Sequence, residues 1–255
     1  MQQSAQRSSA PAKVQYVAHL DFAFAPWAWP FAESRRAAIA QFFDKRRENK
    51  PALWNGKLLL LRDASIAGAT MSGMFFETDY AAMLAAVTWD AMGNGVKSCF
   101  PAAAVLSADG GFILGEMAEH TQNAGQVLLP CGSVERGDAS DGRVDLFATL
   151  RRELFEETGI AADSLLASAG WYAVSIGALL PLVKVMRAAA PAEQLRQRIC
   201  ANLADQQDPE FCNVVVVREA SDLDERVPHW VAAFLQHFWE SGGRSAAPSG
   251  SSAAC

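Results

Sequence analysis

Three glutamates and an arginine fall within six consecutive residues, in the segment Arg152-Glu153-Leu154-Phe155-Glu156-Glu157. At about 100° per residue on a helix, the three carboxylates share one face, within an arc of roughly 100°. Like charges one turn apart repel each other and destabilise a helix. A divalent cation reverses the sign of that interaction, and a hard cation such as Mg²⁺ prefers oxygen ligands. The spacing therefore points to a metal-binding face, with a solvated acidic surface as the plainer interpretation.

A helix from Leu146 to Thr158 is the element that must position these carboxylates. Asp145 is placed to cap its first turn, and Gly159 stands where helices commonly end in a left-handed residue. Leu150 and Leu154 lie to one side of the acidic arc, so the helix also has a surface that the fold can bury.

The nine residues that start at Arg152, RELFEETGI, resemble the second half of the Nudix box, the signature of the Nudix hydrolases. The first half of the box departs from the pattern, because Gly132 precedes Arg152 by twenty positions, where the family has fourteen. Counting forward from Gly132 places the upstream acid of the box at Asp138, and counting back from Arg152 places it at Val144. We interpret the difference as a six-residue insertion between Asp138 and Asp145.

The resemblance implies the Nudix fold, an α/β/α sandwich around a mixed sheet, and hydrolysis of the diphosphate in a nucleoside diphosphate linked to another group. It implies that Glu153, Glu156 and Glu157 bind Mg²⁺ or Mn²⁺, and that Arg152 holds one of these glutamates in place. One glutamate, or a residue outside the box, would deprotonate the attacking water. Gly132 is expected to let the backbone turn tightly over the site.

Two residues outside the box are further candidates for the site. Asn123 lies in a polar loop shortly before the box, where side chains can contact substrate phosphates, although a plain loop is an equal interpretation. Glu210 lies in a turn before a strand and is a candidate for one more carboxylate. The positions that distinguish Nudix subfamilies select none of them, and the long N-terminal part favours a nucleotide sugar or a dinucleotide as the substrate.

Composition and charge argue against a nucleic-acid-binding, a secreted or a membrane-spanning protein. The formal net charge of -6 argues against a nucleic-acid surface, because phosphate binding needs clustered Lys and Arg. The five cysteines are widely spaced without a C-x-x-C pair, which favours a reducing compartment, and we predict a cytoplasmic protein. The N-terminus up to Lys13 lacks the apolar core of a secretory signal, and no apolar run has the length of a membrane span.

The chain is expected to be α+β, with a strand-and-helix extension at residues 14–97 and the hydrolase domain at residues 98–240. Unstructured tails are expected at residues 1–13 and 241–255. Within the extension, Trp54-Asn55-Gly56-Lys57 predicts a hairpin turn. The aromatic cluster at residues 22–31 is interpreted as core or as the interface of a homodimer, with stacking on a nucleobase as the alternative.

Two further functions remain open from the sequence. The first is a Nudix-like ligand sensor or scaffold without turnover, although such a module has no need of three clustered carboxylates. The second is an isopentenyl diphosphate isomerase, an enzyme that shares the fold and depends on an active-site cysteine. Cys131 is the candidate for that role, and it is interpreted instead as a small buried residue.

Overall fold

The computed structural model of the chain describes residues 11–51, 53–93 and 95–243. Most of both predicted tails, at residues 1–10 and 244–255, lies outside the described residues, and so does Cys255. At the N-terminal end, Lys13 already belongs to a strand, so the predicted tail extends too far there.

Within the described residues, thirteen strands join one continuous mixed sheet. In chain order they are β1 Lys13–Val17, β2 His19–Phe24, β3 Lys57–Ala67, β4 Thr70–Asp79, β5 Val96–Leu106, β6 Phe112–Met117, β7 Val127–Leu128, β8 Ala139–Ser140, β9 Arg143–Val144, β10 Leu166–Ala167, β11 Trp171–Ser175, β12 Leu179–Arg187 and β13 Phe211–Val217. The α-helices are α1 Pro30–Ser34, α2 Arg36–Asn49, α3 Tyr80–Thr88, α4 Leu146–Thr158, α5 Ala192–Ala204 and α6 His229–Glu240. The predicted mixed α+β class is therefore confirmed.

Strand β5 connects the two halves of the sheet. Its first residues pair with β3 of the N-terminal part, its length runs parallel to β12, and its last residues pair with β6. On the N-terminal side the sheet continues from β3 through β4 and β2 to the short hairpin of β8 and β9. The hairpin of β8 and β9, which lies between Gly132 and α4 in the chain, is thus an edge of the N-terminal part of the sheet.

Helices cover both faces of the sheet. Trp171 and Tyr172 are consecutive residues of β11, so their side chains point to opposite faces. The ring of Phe147, from α4, packs against Trp171, and the ring of Phe234, from α6, packs against Tyr172. Helices α4 and α6 therefore lie on opposite faces, which is the predicted sandwich arrangement.

The N-terminal part of the sheet also has two buried faces. Leu59 of β3 and Phe75 of β4 join the large core that includes α4, whereas Leu60 and Phe76, the next residues, join a second core beneath α2 and α3. Alternation along each strand explains this division. The face of β3 and β4 that carries Leu59 and Phe75 therefore belongs to the large core, and the opposite face belongs to the second core.

The predicted hairpin at Asn55-Gly56 is wrong, because residues 53–56 form no strand. The Asn55 side chain instead accepts a hydrogen bond from the backbone N–H of Ala81, at 2.8 Å, and so satisfies a free donor in the first turn of α3. The Gly56 carbonyl accepts from the N–H of Tyr80. The Asn-Gly pair therefore supplies hydrogen-bond acceptors to the first turn of α3 and does not form a hairpin turn.

Helix α4 has the predicted bounds, and both of its ends are closed as expected. Asp145 accepts hydrogen bonds from the N–H groups of Phe147 and Ala148, and Gly159 adopts a left-handed conformation with φ of 68°. No helix in the described ranges is both long enough and apolar enough to span a membrane.

The cap at Asp145 gives a test of how α4 is held. Replacing Asp145 with Ala leaves two N–H groups without their acceptor, and we expect a loss of about 1 kcal/mol in the free energy of unfolding. Denaturant titration measures the change. Asp145→Asn keeps an acceptor oxygen and is the matched control, so an equal loss in both variants would contradict the role of the cap.

Candidate functional site

Glu157 is the most deeply buried acid of the predicted site. It lies in the last turn of α4, is only 4% exposed, and accepts a hydrogen bond of 2.9 Å from the backbone N–H of Cys131. No basic side chain in the described part of the chain forms an ion pair with it. Burial, together with the negative charges of Glu210 and Glu153, raises the pKa of Glu157 well above its usual range.

Glu153 lies one turn earlier on α4 and presses against Gly132. A Cβ added at Gly132 would overlap the Glu153 carboxyl group. The φ angle of Gly132 is not positive, so close approach, and not the expected tight turn, is what requires glycine there. Burial raises the pKa of Glu153 to about 7, with Glu156 and Glu210 adding to the shift and Arg152 opposing it.

Arg152 is surrounded by carboxylates on the accessible side of the site. Its Nη1 lies 2.5 Å from Glu153 Oε1 and 3.5 Å from Glu156 Oε2, and its Nη2 lies 3.4 Å from Asp138 Oδ2. The guanidinium also donates to the carbonyl of Ser133 at 3.4 Å. Arg152 thus fixes Glu153 in place and connects α4 to the segment that follows Gly132.

The upstream half of the box contains a small hairpin that accounts for its extra length. The backbone N–H of Asp145 donates to the carbonyl of Asp138 at 3.0 Å, so these two residues meet and residues 139–144 loop out between them. The loop forms β8 and β9, and β9 pairs with β2 next to an ion pair between Arg143 and Asp21. The six-residue insertion leaves Asp138 next to Arg152 and ties the site to the N-terminal part of the chain.

The remaining predicted residues lie at different depths. Glu156 has a side chain that is 58% exposed, and Glu210 is an exposed residue before β13 whose charge acts on both buried glutamates. Asn123 is exposed in the loop before β7, where its carbonyl accepts from the N–H of Gln126. None of the side-chain hydrogen bonds found within the described ranges joins Asn123 to α4, and its contact with substrate phosphates stays a prediction.

Cys131 lies at the centre of the site without the features of a nucleophile. Burial, followed by the negative charges of Glu157, Glu153 and Glu210, raises the pKa of its thiol. A thiol reacts as the thiolate, and a raised pKa keeps it protonated. Its backbone N–H, and not its sulfur, is the group that contacts a predicted site residue.

The donor atoms around α4 suit a hard divalent cation, since they are carboxylate oxygens whose negative charges raise one another's pKa. No three His, Cys, Asp or Glu side chains in the described ranges are already close enough together to hold a metal ion. The two exposed acids, Glu156 and Glu210, lie where side chains change rotamer readily. A metal site at Glu153 and Glu157 therefore requires at least one of them to turn inward.

Comparison with solved structures finds Nudix proteins, the family that the sequence of α4 resembles. The MutT protein from Methanosarcina mazei Go1 is 21% identical, with a TM-score of 0.41 over 58% of this chain and 96% of that one. A Nudix hydrolase from Nitrosomonas europaea is 16% identical, with a TM-score of 0.39 over 58% of this chain and 91% of that one.

A third similar structure is a bifunctional NMN adenylyltransferase/ADP ribose pyrophosphatase from Francisella tularensis, complexed with AMP and a Mn ion. It is 15% identical, with a TM-score of 0.37 over 57% of this chain and 42% of that one. No protein-family model matches the sequence, and no curated protein matches it. At such low identities and scores, the role of the site has to be inferred from its own side chains.

The raised pKa of Glu153 predicts how stability varies with pH in metal-free buffer. A carboxyl group whose pKa is raised on folding stabilises the protein while it is protonated, and that stability is lost as pH rises through about 7. Glu153→Gln removes this titration. Between pH 5 and pH 8 we expect the variant to lose less free energy of unfolding than the wild type, by on the order of 2 kcal/mol.

Denaturant titrations at the two pH values measure this difference. Glu240→Gln, at an exposed position on α6, is the control that should follow the wild type. Parallel behaviour of all three proteins would contradict the burial of a titrating Glu153.

Proposed function

We propose that the chain is a Nudix pyrophosphohydrolase that uses Mg²⁺ or Mn²⁺ to hydrolyse the diphosphate of a nucleoside diphosphate linked to another group. The observation that carries this proposal is the pair of buried glutamates, Glu153 and Glu157, held on adjacent turns of α4 with Glu210 close enough to act on both. While its carboxyl groups are ionised, such a cluster destabilises the fold unless a positive charge joins it. An enzyme that binds a divalent cation needs that arrangement, whereas a solvated acidic surface does not.

Each residue of the cluster has a distinct part in this proposal. Glu157, Glu153 and Glu156 would hold the cation, with Glu157 fixed by the Cys131 N–H. A bound divalent cation supplies neutralisation of the phosphate oxygens and a lower pKa for the attacking water. Arg152 positions Glu153 and does not itself face the substrate. If Glu153 is not engaged as a ligand, it would be the carboxylate that accepts a proton from the attacking water.

The substrate that we favour is a nucleotide sugar or a dinucleotide. The N-terminal strands β2, β3 and β4 belong to the same continuous sheet as the strands of the C-terminal part. The inserted hairpin of β8 and β9, which directly precedes α4, pairs with β2. A substrate with a second moiety beyond the diphosphate therefore has protein surface to contact. A cytoplasmic location and pairing into a homodimer remain predictions from the sequence.

Glu157→Gln tests the proposed role of the cluster. The variant keeps the shape of the side chain but removes the charge, so metal-dependent hydrolysis should fall at least about 100-fold while the protein stays folded. Steady-state rates with Mg²⁺, together with circular dichroism, measure the two effects. Glu240→Gln is again the control, and it should retain full activity. A modest loss in Glu157→Gln would count against the assignment.

A panel of diphosphate-linked metabolites tests the reaction itself. Nucleotide sugars, dinucleotides and nucleoside triphosphates are incubated with Mg²⁺ and with Mn²⁺, and release of nucleoside monophosphate is measured. We expect turnover of a nucleotide sugar or a dinucleotide in preference to a triphosphate. Binding of the cation without turnover of any compound would favour the ligand sensor instead.

A further inference from the structure

A cavity of about 590 Å³ opens between the N-terminal part of the chain and the segment that follows Gly132. Its volume lies in the range of small-molecule sites, roughly 300 to 1,000 Å³. The residues that line it are Phe24, Pro26, Trp27, Ala28, Glu77 and Arg136. Five of them come from the N-terminal part, and one comes from the upstream half of the box.

That upstream segment links the cavity to the carboxylates. Arg136 and Asp138 belong to the same short 3-10 turn, Arg136–Asp138. Asp138 faces the other way, where its carboxylate lies 3.4 Å from Arg152, which in turn contacts Glu153. One turn therefore presents a guanidinium to the cavity and a carboxylate to the proposed catalytic helix.

Glu77, one of the residues that line the cavity, shares a face of the sheet with a residue of the large core. Glu77 of β4 follows Phe75 by two residues, so the two side chains share a face of the sheet. Phe75 belongs to the large core, which also includes residues of α4.

Four of the five aromatic residues in the cluster at residues 22–31 form two pairs. Phe22 and Trp29 are buried in the two cores, as expected for structural aromatics. Phe24 and Trp27 are only partly buried and line the cavity. Phe24 also packs against the large core, and the Trp27 ring packs against Phe76 at 4.8 Å, so both rings combine a core contact with partial exposure to the cavity.

The lining has the chemistry of a site for a flat, heteroaromatic group. The Arg136 guanidinium lies over the Phe24 ring at 4.4 Å, so the turn presents a planar cation stacked on an aromatic ring. Nucleobases stack on aromatic rings and on guanidinium planes, and this stacking is tolerant of base identity. The Glu77 carboxylate is exposed at the rim and accepts hydrogen bonds from N–H groups, which every nucleobase carries on an edge.

We propose that the cavity lined by Phe24, Trp27, Glu77 and Arg136 binds the nucleobase of the substrate, while the diphosphate lies against the carboxylates of α4. The inference rests on the proposed pyrophosphohydrolase function and names the part of the substrate that the N-terminal extension recognises. The extension is then a specificity element, and the turn of Arg136 connects it to the reacting end.

Equilibrium binding to the full chain tests the base site separately from catalysis. The four common nucleoside 5′-monophosphates and ribose 5-phosphate are titrated by calorimetry in metal-free buffer. At least one nucleotide should bind about fivefold or more tightly than ribose 5-phosphate, because a stacked base contributes at least that much. Trp27→Ala should remove most of this difference. Trp54→Ala is the matched control, since Trp54 lies in the same part of the chain, is 79% exposed and is outside the cavity.

Arg136→Ala provides a second variant that does not depend on the packing of Trp27. Arg136 is exposed, so its replacement should leave the thermal unfolding midpoint close to that of the wild type while weakening nucleotide binding. If Trp27→Ala proves unfolded by circular dichroism, the result for Arg136→Ala decides the question. Nucleotide affinities unchanged by Arg136→Ala, or lowered equally by Trp54→Ala, would overturn the proposal.

The two proposals fail in different ways. Equal affinity for ribose 5-phosphate and for all four nucleotides, in a protein that still hydrolyses a diphosphate, would overturn the base site alone. Base-dependent binding in a protein that hydrolyses no diphosphate with Mg²⁺ or Mn²⁺ would overturn the hydrolase function and leave a nucleotide-binding cavity. Base-dependent binding together with hydrolysis is the result that supports both.

Discussion

The repulsion between buried carboxylates on α4 is the interaction on which the rest of the structure depends. Glu157 is almost completely removed from solvent with a single backbone N–H as its partner, and Glu153 is packed against Gly132. The charge of Glu153 raises the pKa of Glu157, and the charge of Glu210 raises the pKa of both. A fold that holds like charges together in this way carries an energetic cost that a divalent cation would remove. The geometry of α4, its cap and its glycine neighbour all serve to keep these groups in place.

The upstream half of the site shows how a local insertion leaves such a geometry intact. Asp138 and Asp145 are joined by a backbone hydrogen bond, so the extra residues leave and re-enter the chain at nearly the same point. Asp138 stays beside Arg152, and the added hairpin extends the sheet toward β2. The same segment carries Arg136 into the cavity of the N-terminal part. An insertion that changes the length of a motif has thus created a connection between two parts of the protein.

Local signals allowed α4 to be predicted from the sequence with its bounds, its cap and its left-handed end. The three glutamates could be placed on one face for the same reason, since helical spacing depends only on near neighbours. Their burial could not be predicted, because Glu157 is buried by contact with Cys131, and Gly132 is needed by contact with Glu153. Those contacts depend on how distant segments pack.

Long-range pairing explains most of what the sequence did not reveal. Strand β1 pairs with β11, and β2 pairs with β4 and β9, so neither has a neighbour close in sequence to mark it as a strand. The Asn55 side chain hydrogen-bonds the start of α3, which a turn propensity alone does not show. The cavity is likewise lined by residues from β2, from the segment after β2, from β4 and from the turn of Arg136. In the sequence, only the aromatic cluster at residues 22–31 indicated such a site.

Thermal unfolding with and without Mg²⁺ at pH 8 is the measurement that tests the central claim most directly. A ligand that binds only the folded protein raises its unfolding midpoint by an amount that grows with the ratio of ligand concentration to dissociation constant. The wild-type midpoint should keep rising with the logarithm of the Mg²⁺ concentration above the dissociation constant, and the Glu157→Gln midpoint should start higher in metal-free buffer and rise little. Equal responses of the two proteins, or no response in the wild type, would contradict a carboxylate cluster built to receive a cation.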